Sequence, residues 1–92
     1  MNEKQRLEKV LAWVNKVRKE HFGAKPLKTL PKGKIDSVVS SPIAIGISRH
    51  EQIGNLTNTT MVGGAFIDNP LYVRRFIHDF DNGKYPNLIK RG

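Results

Sequence analysis

Residues 69–82, Asn69-Pro70-Leu71-Tyr72-Val73-Arg74-Arg75-Phe76-Ile77-His78-Asp79-Phe80-Asp81-Asn82, carry the cleanest periodic signal in the chain. Tyr72, Val73, Phe76, Ile77 and Phe80 recur at helical spacing and form one apolar arc. Arg74, Arg75, His78 and Asp81 fall on the other side. Asn69 is placed to cap the helix, with Pro70 at its first position and Asn82-Gly83 at its end. A helix with one apolar face needs a partner, and the sequence offers one at the N-terminus. Over residues 3–20, Leu7, Val10, Leu11, Val14 and Val17 repeat at the same spacing, with Phe22 on the same side and Trp13 at the edge. Asn2 and Gln5 make a capping-box pair, Gly23 is the natural C-cap, and Pro26 forbids continuation. Arg18 and His21 interrupt this arc. Near a helix end such residues snorkel or bond the last carbonyls.

Between these helices the pattern is weaker. Residues 23–35 read as a basic loop with Leu27 and Leu30 as anchors and a turn at Pro31-Lys32-Gly33-Lys34. Residues 36–48 carry both helical and alternating signals. Ser41-Pro42 is a good start for a helix, so a short helix from Ser37 or Ser41 to Ile47 is predicted. Residues 49–67 are β-like, with turn residues at Asn55 and Thr57-Asn58, and predict a two-stranded hairpin packed on the helices. Gly63-Gly64 predicts a bulge or a close backbone approach. Tyr85, Leu88 and Ile89 predict a tail folded back on the domain, with Lys90-Arg91-Gly92 frayed. The expected architecture is a single α+β domain over 1–92: a long N-terminal helix, a short middle helix, a β-hairpin and a C-terminal helix, compatible with a winged-helix shape.

The chain has 92 residues, no Cys and a formal net charge of +8. That length suits one small core and leaves no room for separate cofactor and substrate domains. Without Cys there is no disulfide staple, thiolate zinc site or thiol nucleophile. No apolar run reaches the ~20 residues of a membrane span, and the first residues do not resemble a signal peptide. A soluble, cytoplasmic setting is therefore expected. The charge is uneven. Residues 1–22 carry net +3, residues 23–35 net +4 and residues 70–92 net +3, while 36–69 are close to neutral. An acid-free loop and two basic helices favour an anionic partner, while charge kept only for solubility would scatter.

Motifs for chemistry are thin. His21, His50 and His78 have no second histidine at i+3 or i+4. Ser48-Arg49-His50-Glu51 holds triad-like residue types, but neighbours in a strand or turn point different ways. Asp79 and Asp81 lie about 200° apart around a helix and do not face each other. Gly63-Gly64 lacks the Lys-Ser/Thr of a phosphate loop. Neither a catalytic residue nor a cofactor or metal site is expected.

Two blocks have a further use. They are Leu30-Pro31-Lys32-Gly33-Lys34…Asp36-Ser37…Ser41-Pro42-Ile43-Ala44 and Val73-Arg74-Arg75-Phe76-Ile77…Asp79-Phe80-Asp81…Gly83…Tyr85-Pro86…Leu88-Ile89. In these, about half of the chain, it resembles a set of small proteins of actinobacteria and their temperate phages, mostly without an assigned function. The resemblance implies a bacterial cytosolic setting and no catalytic residue. It also implies that Asp36 or Ser37 caps the second helix and that the two blocks pack together. Ser41 stands where that pattern has Cys, which argues against a required thiol.

The function expected from these readings is a non-enzymatic phage or prophage accessory protein that binds nucleic acid. Lys25, Lys28, Lys32, Lys34, Arg49, Arg74 and Arg75 are the expected contacts. The alternative is a module that binds and modulates an acidic protein of the bacterial host. Homodimerisation through Trp13 or the hairpin edge is compatible with both.

Overall fold

Two helices of opposite ends of the chain meet because both expose an apolar arc. In the computed structural model, which describes residues 2–90, α1 spans Glu3–Phe22 and α3 spans Leu71–Asp81. Val10, Trp13, Val14 and Val17 of α1 are buried with Val73, Phe76, Ile77 and Phe80 of α3. The Asn2–Gln5 capping box forms, and Gly23 ends α1 in the left-handed region at φ 58. Trp13 lies inside the core at 8% exposure, so it offers no surface for a second copy. Phe22, expected on the buried side, is instead 37% exposed, because the last turn of α1 runs past the edge of the core.

The middle helix α2 covers Pro42–Ile47. Its cap is Ser41, whose Oγ accepts the Ala44 N–H at 3.1 Å. Asp36 and Ser37 do not cap it. Ser37 Oγ accepts the Ser40 N–H, and the Asp36 N–H donates to Asp81 Oδ1 at 3.0 Å. The two blocks do pack together, and more through backbone than side chains. Gly33 N–H donates to Leu88 O and Lys90 N–H donates to Gly33 O, both at 2.8 Å, in a parallel bridge between loop and tail. Of the tail expected to fray, Arg91 and Gly92 lie outside the described residues, while Lys90 holds this bond. Tyr85 is buried beside Phe76, with ring centroids 5.0 Å apart.

The predicted two-stranded hairpin is a three-stranded antiparallel meander. It consists of β1 (Ile53–Asn55), β2 (Thr59–Val62) and β3 (Ala65–Asp68), in the order β1-β2-β3. Gly63-Gly64 is no bulge. With Val62 paired to Ala65, both glycines form a two-residue turn at φ 56 and 86, the conformation of a type I′ hairpin. Ile53, Thr60 and Val62 are buried in the core, while β3 and the Gly63-Gly64 turn are largely exposed.

Asn69 is also reassigned. Pro70 stands at the α3 N-cap position with no side-chain cap, and Asn69 is buried at 4% exposure. It ends a directed chain of hydrogen bonds. Ser41 Oγ donates to Asn55 Oδ1, Asn55 Nδ2 to Thr60 Oγ1, and Thr60 Oγ1 to Asn69 Oδ1 at 2.6 Å. Asn69 Nδ2 then donates to the carbonyls of Leu56 and Thr57. Four buried polar side chains thus satisfy one another and tie the start of α2, two strands and the entry to α3 into one unit.

Candidate nucleic-acid interface

Not every cation in the chain is free to meet a partner. Arg18, which broke the apolar arc of α1, is a clamp. Its guanidinium donates to the carbonyls of Lys25, Gly46 and Ile47, at 2.9 to 3.3 Å. It joins α1 to the loop and to the last turn of α2, whose carbonyl ends favour a cation. Arg6 is likewise committed, donating to Asp79 Oδ2 at 2.8 Å. Among the described residues, the ion pairs of Arg6, His78 and Lys84 all converge on Asp79. Lys4 and Glu8, or Lys16 and Glu20, form none. The expected contacts Lys25, Lys28, Lys32, Lys34, Arg49, Arg74 and Arg75 are all exposed, and none has a carboxylate partner among the described residues.

The structure does not gather these seven residues into one cluster, the dispersal expected of charge kept for solubility, and only local groups on α3 and at the end of α1 are left for an anionic partner. Arg74 and Arg75 line a hollow of about 350 Å³ on α3 with Leu71 and His78, next to the Arg6–Asp79 pair. Lys25 lines a different hollow of about 610 Å³ with Lys16 and Lys19 of α1, and no acid contributes to its walls. Lys28 shares a trough with Lys4, Glu3 and Glu8, where opposite charges are mixed. Lys32 and Lys34 flank the buried Gly33 beside the tail. Arg49 stands on the rim of the largest groove. The loop is tied along its length. Asn15 exchanges hydrogen bonds with both backbone groups of Leu27, at 2.7 and 3.1 Å, and Leu30 is buried.

Lys16 and Lys19 were invisible as site residues in the sequence because a lysine on the polar face of a helix is unremarkable. Only the turn at Gly23, which brings Lys25 back alongside α1, makes a trio of them. On α3 a local signal was legible. The first turn holds no acid, and Arg74 and Arg75 follow directly. Cations near the positive end of a helix cost roughly 0.3–1 kcal/mol each, a cost that a bound anion removes.

The largest groove, of about 620 Å³, lies between the end of α1, the loop and α2. Phe22, Leu27, Pro31 and Ile45 give it apolar walls, and Arg49, His50 and Glu51 stand at its mouth. Ser48, His50 and Glu51 all line it, but among the described residues no hydrogen bond joins their side chains, and Asp36 lines another hollow. Ser48 Oγ instead accepts the N–H groups of His50 and Glu51 and shapes the turn after α2. Among the described residues no three His, Asp or Glu side chains gather as metal ligands, and no helix is long and apolar enough to cross a membrane. Deep to Arg6, the Tyr85 hydroxyl is buried without a hydrogen-bond partner among the described residues. Burial pushes this phenol above its ordinary range, and the nearby Arg6 guanidinium opposes the shift without Nε closing a bond. Comparison with protein-family models, curated proteins and solved structures finds no match.

Proposed function

We propose that this protein is a non-enzymatic accessory protein that binds nucleic acid through its phosphates, in the bacterial or phage setting that the two-block resemblance implies. One observation carries the reading. Among the described residues, the exposed lysines and arginines of α1, the loop and α3 have no carboxylate partner, while Asp79 is taken up by Arg6, His78 and Lys84. Free cations on a rigid frame attract a polyanion and release its counterions on contact. Two hollows group free cations, one with Lys16, Lys19 and Lys25 and no acid in its walls, and one with Arg74 and Arg75 beside the Arg6–Asp79 pair. The near-neutral sheet between residues 53 and 68 contributes little to such a contact.

The test is a salt titration of binding to a fluorescent oligonucleotide, followed by anisotropy. Affinity is expected to fall steeply with salt, with about 0.7–0.9 of log–log slope for each phosphate neutralised. The double variant Arg74→Ala/Arg75→Ala and the single variant Lys25→Ala are each expected to reduce the slope and weaken binding across sequences. Affinity that is insensitive to salt, or unchanged in both variants, refutes the proposal. Nuclease-resistant capture of one acidic protein, with no oligonucleotide binding at low salt, would replace it with the host-protein reading.

A further inference from the structure

An interface that reads only phosphates gives a single strand no advantage over a duplex, yet the basic surface of this protein borders an apolar slot. The hollow of Lys16, Lys19 and Lys25 and the groove of Phe22, Leu27 and Ile45 share Ala24 in their walls. Gly23, where α1 ends, lines the hollow as well. Arg49 and His50, both exposed, also line the groove, with Glu51 as the one acid there. Free lysines therefore border a hollow that adjoins an apolar groove at Ala24.

Sorting the aromatic rings narrows the ligand. Trp13, Phe76, Phe80 and Tyr85 are buried, Tyr72 lies under the Lys9 ammonium, and Phe66 is on the neutral sheet. Phe22 remains as the exposed phenyl ring that lines the groove adjoining the lysine hollow, with the His21 ring 6.5 Å away. Single-stranded nucleic acid is held by this combination of a charged track and an aromatic face, because unstacked bases offer their π-faces. A duplex hides those faces and reaches an apolar slot only after a base is extruded from its stack.

We infer that this protein prefers single-stranded nucleic acid, placing phosphates on Lys16, Lys19 and Lys25 and one unstacked base against Phe22 in the groove between α1, the loop and α2. This rests on the proposed function and deepens it, since it selects the strand form and the contact that distinguishes it. Glu51 at the mouth disfavours a second phosphate there and leaves room for a base edge that donates a hydrogen bond.

The experiment compares single-stranded DNA, single-stranded RNA and duplex DNA of one length at one salt concentration. Single strands carrying 2-aminopurine at one position report on base stacking. At least one single strand is expected to bind about tenfold more tightly than the duplex, with quenched 2-aminopurine emission. Phe22→Ala should remove most of that preference while leaving duplex affinity and the circular dichroism spectrum unchanged. Lys25→Ala should weaken single strand and duplex by the same factor. Equal binding of single strand and duplex with a normal salt slope overturns the inference while the proposed function stands. So does a Phe22→Ala variant that folds and keeps the preference. No binding of any oligonucleotide at low salt overturns both.

Discussion

Replacing Gly33 by alanine places a methyl group where there is no space. A Cβ built at Gly33 falls 2.6 Å from Pro42 Cδ and Ser41 C, and closer still to Pro42 N. Those atoms include the backbone at the start of α2, which Ser41 caps and Asn55 holds, so they cannot turn aside as a flexible side chain can. The loop must move instead. Movement breaks the Gly33 N–H bond to Leu88 O and the Lys90 N–H bond to Gly33 O. Two lost hydrogen bonds cost about 1 kcal/mol each, and overpacking of this kind costs about 1–3 kcal/mol. Gly33→Ala should therefore lose about 3–5 kcal/mol, a large share of the ~5–14 kcal/mol typical of a domain this size. Urea denaturation followed by far-ultraviolet circular dichroism measures it, as a lower midpoint with an unchanged slope. Hydrogen exchange gives a local readout, since the Lys90 amide should lose protection. The control is Gly23→Ala, where a Cβ meets nothing within 4 Å and only the left-handed φ of 58 is penalised, by about 1 kcal/mol. If Gly33→Ala comes within about 0.5 kcal/mol of wild type, Gly33 is not wedged between α2 and the tail, and the reasoning fails.

Two further stability tests follow from the polar interior. Thr60→Val keeps the shape of a residue with 0% exposure but leaves Asn55 Nδ2 and Asn69 Oδ1 without their partner, and should cost roughly 1–3 kcal/mol in denaturant unfolding. Tyr85→Phe removes a buried hydroxyl without a partner, so stability at neutral pH should hold or rise. Because the folded pKa of Tyr85 is raised from 10.0, its favourable contribution is complete below that pH and is lost as pH climbs through the higher folded value. The phenylalanine variant should therefore lose less stability than wild type above pH 10, which paired denaturation curves across the alkaline range will show.

Much of the frame was legible because it depends on periodicity. The arcs of α1 and α3 hold their spacing over several turns, and both became core. The ends of α1 were legible because capping is local, as Asn2, Gln5 and Gly23 show. Local signals misled where one residue type serves two purposes. Asn69 before Pro70 looks like a helix cap, yet its amide is used by Thr60 and the turn after β1. Gly63-Gly64 suits a bulge or a tight turn equally, and the third strand decides between them.

The functional surface divides in the same way. The net charge of +8 and its concentration outside residues 36–69 are properties of the sequence alone, as are the arginines at the start of α3. Which cations are available is not, because pairing is a matter of distance between residues far apart in the chain. Arg6 is withdrawn by Asp79 and Arg18 by carbonyls of the loop and α2, while Lys16 and Lys19 acquire Lys25 as a neighbour only through the corner at Gly23. Periodicity and composition are written residue by residue, and so the sequence determines the helices and the sign of the surface. Convergence in space depends on how those helices close over the sheet, and only the tertiary structure decides it.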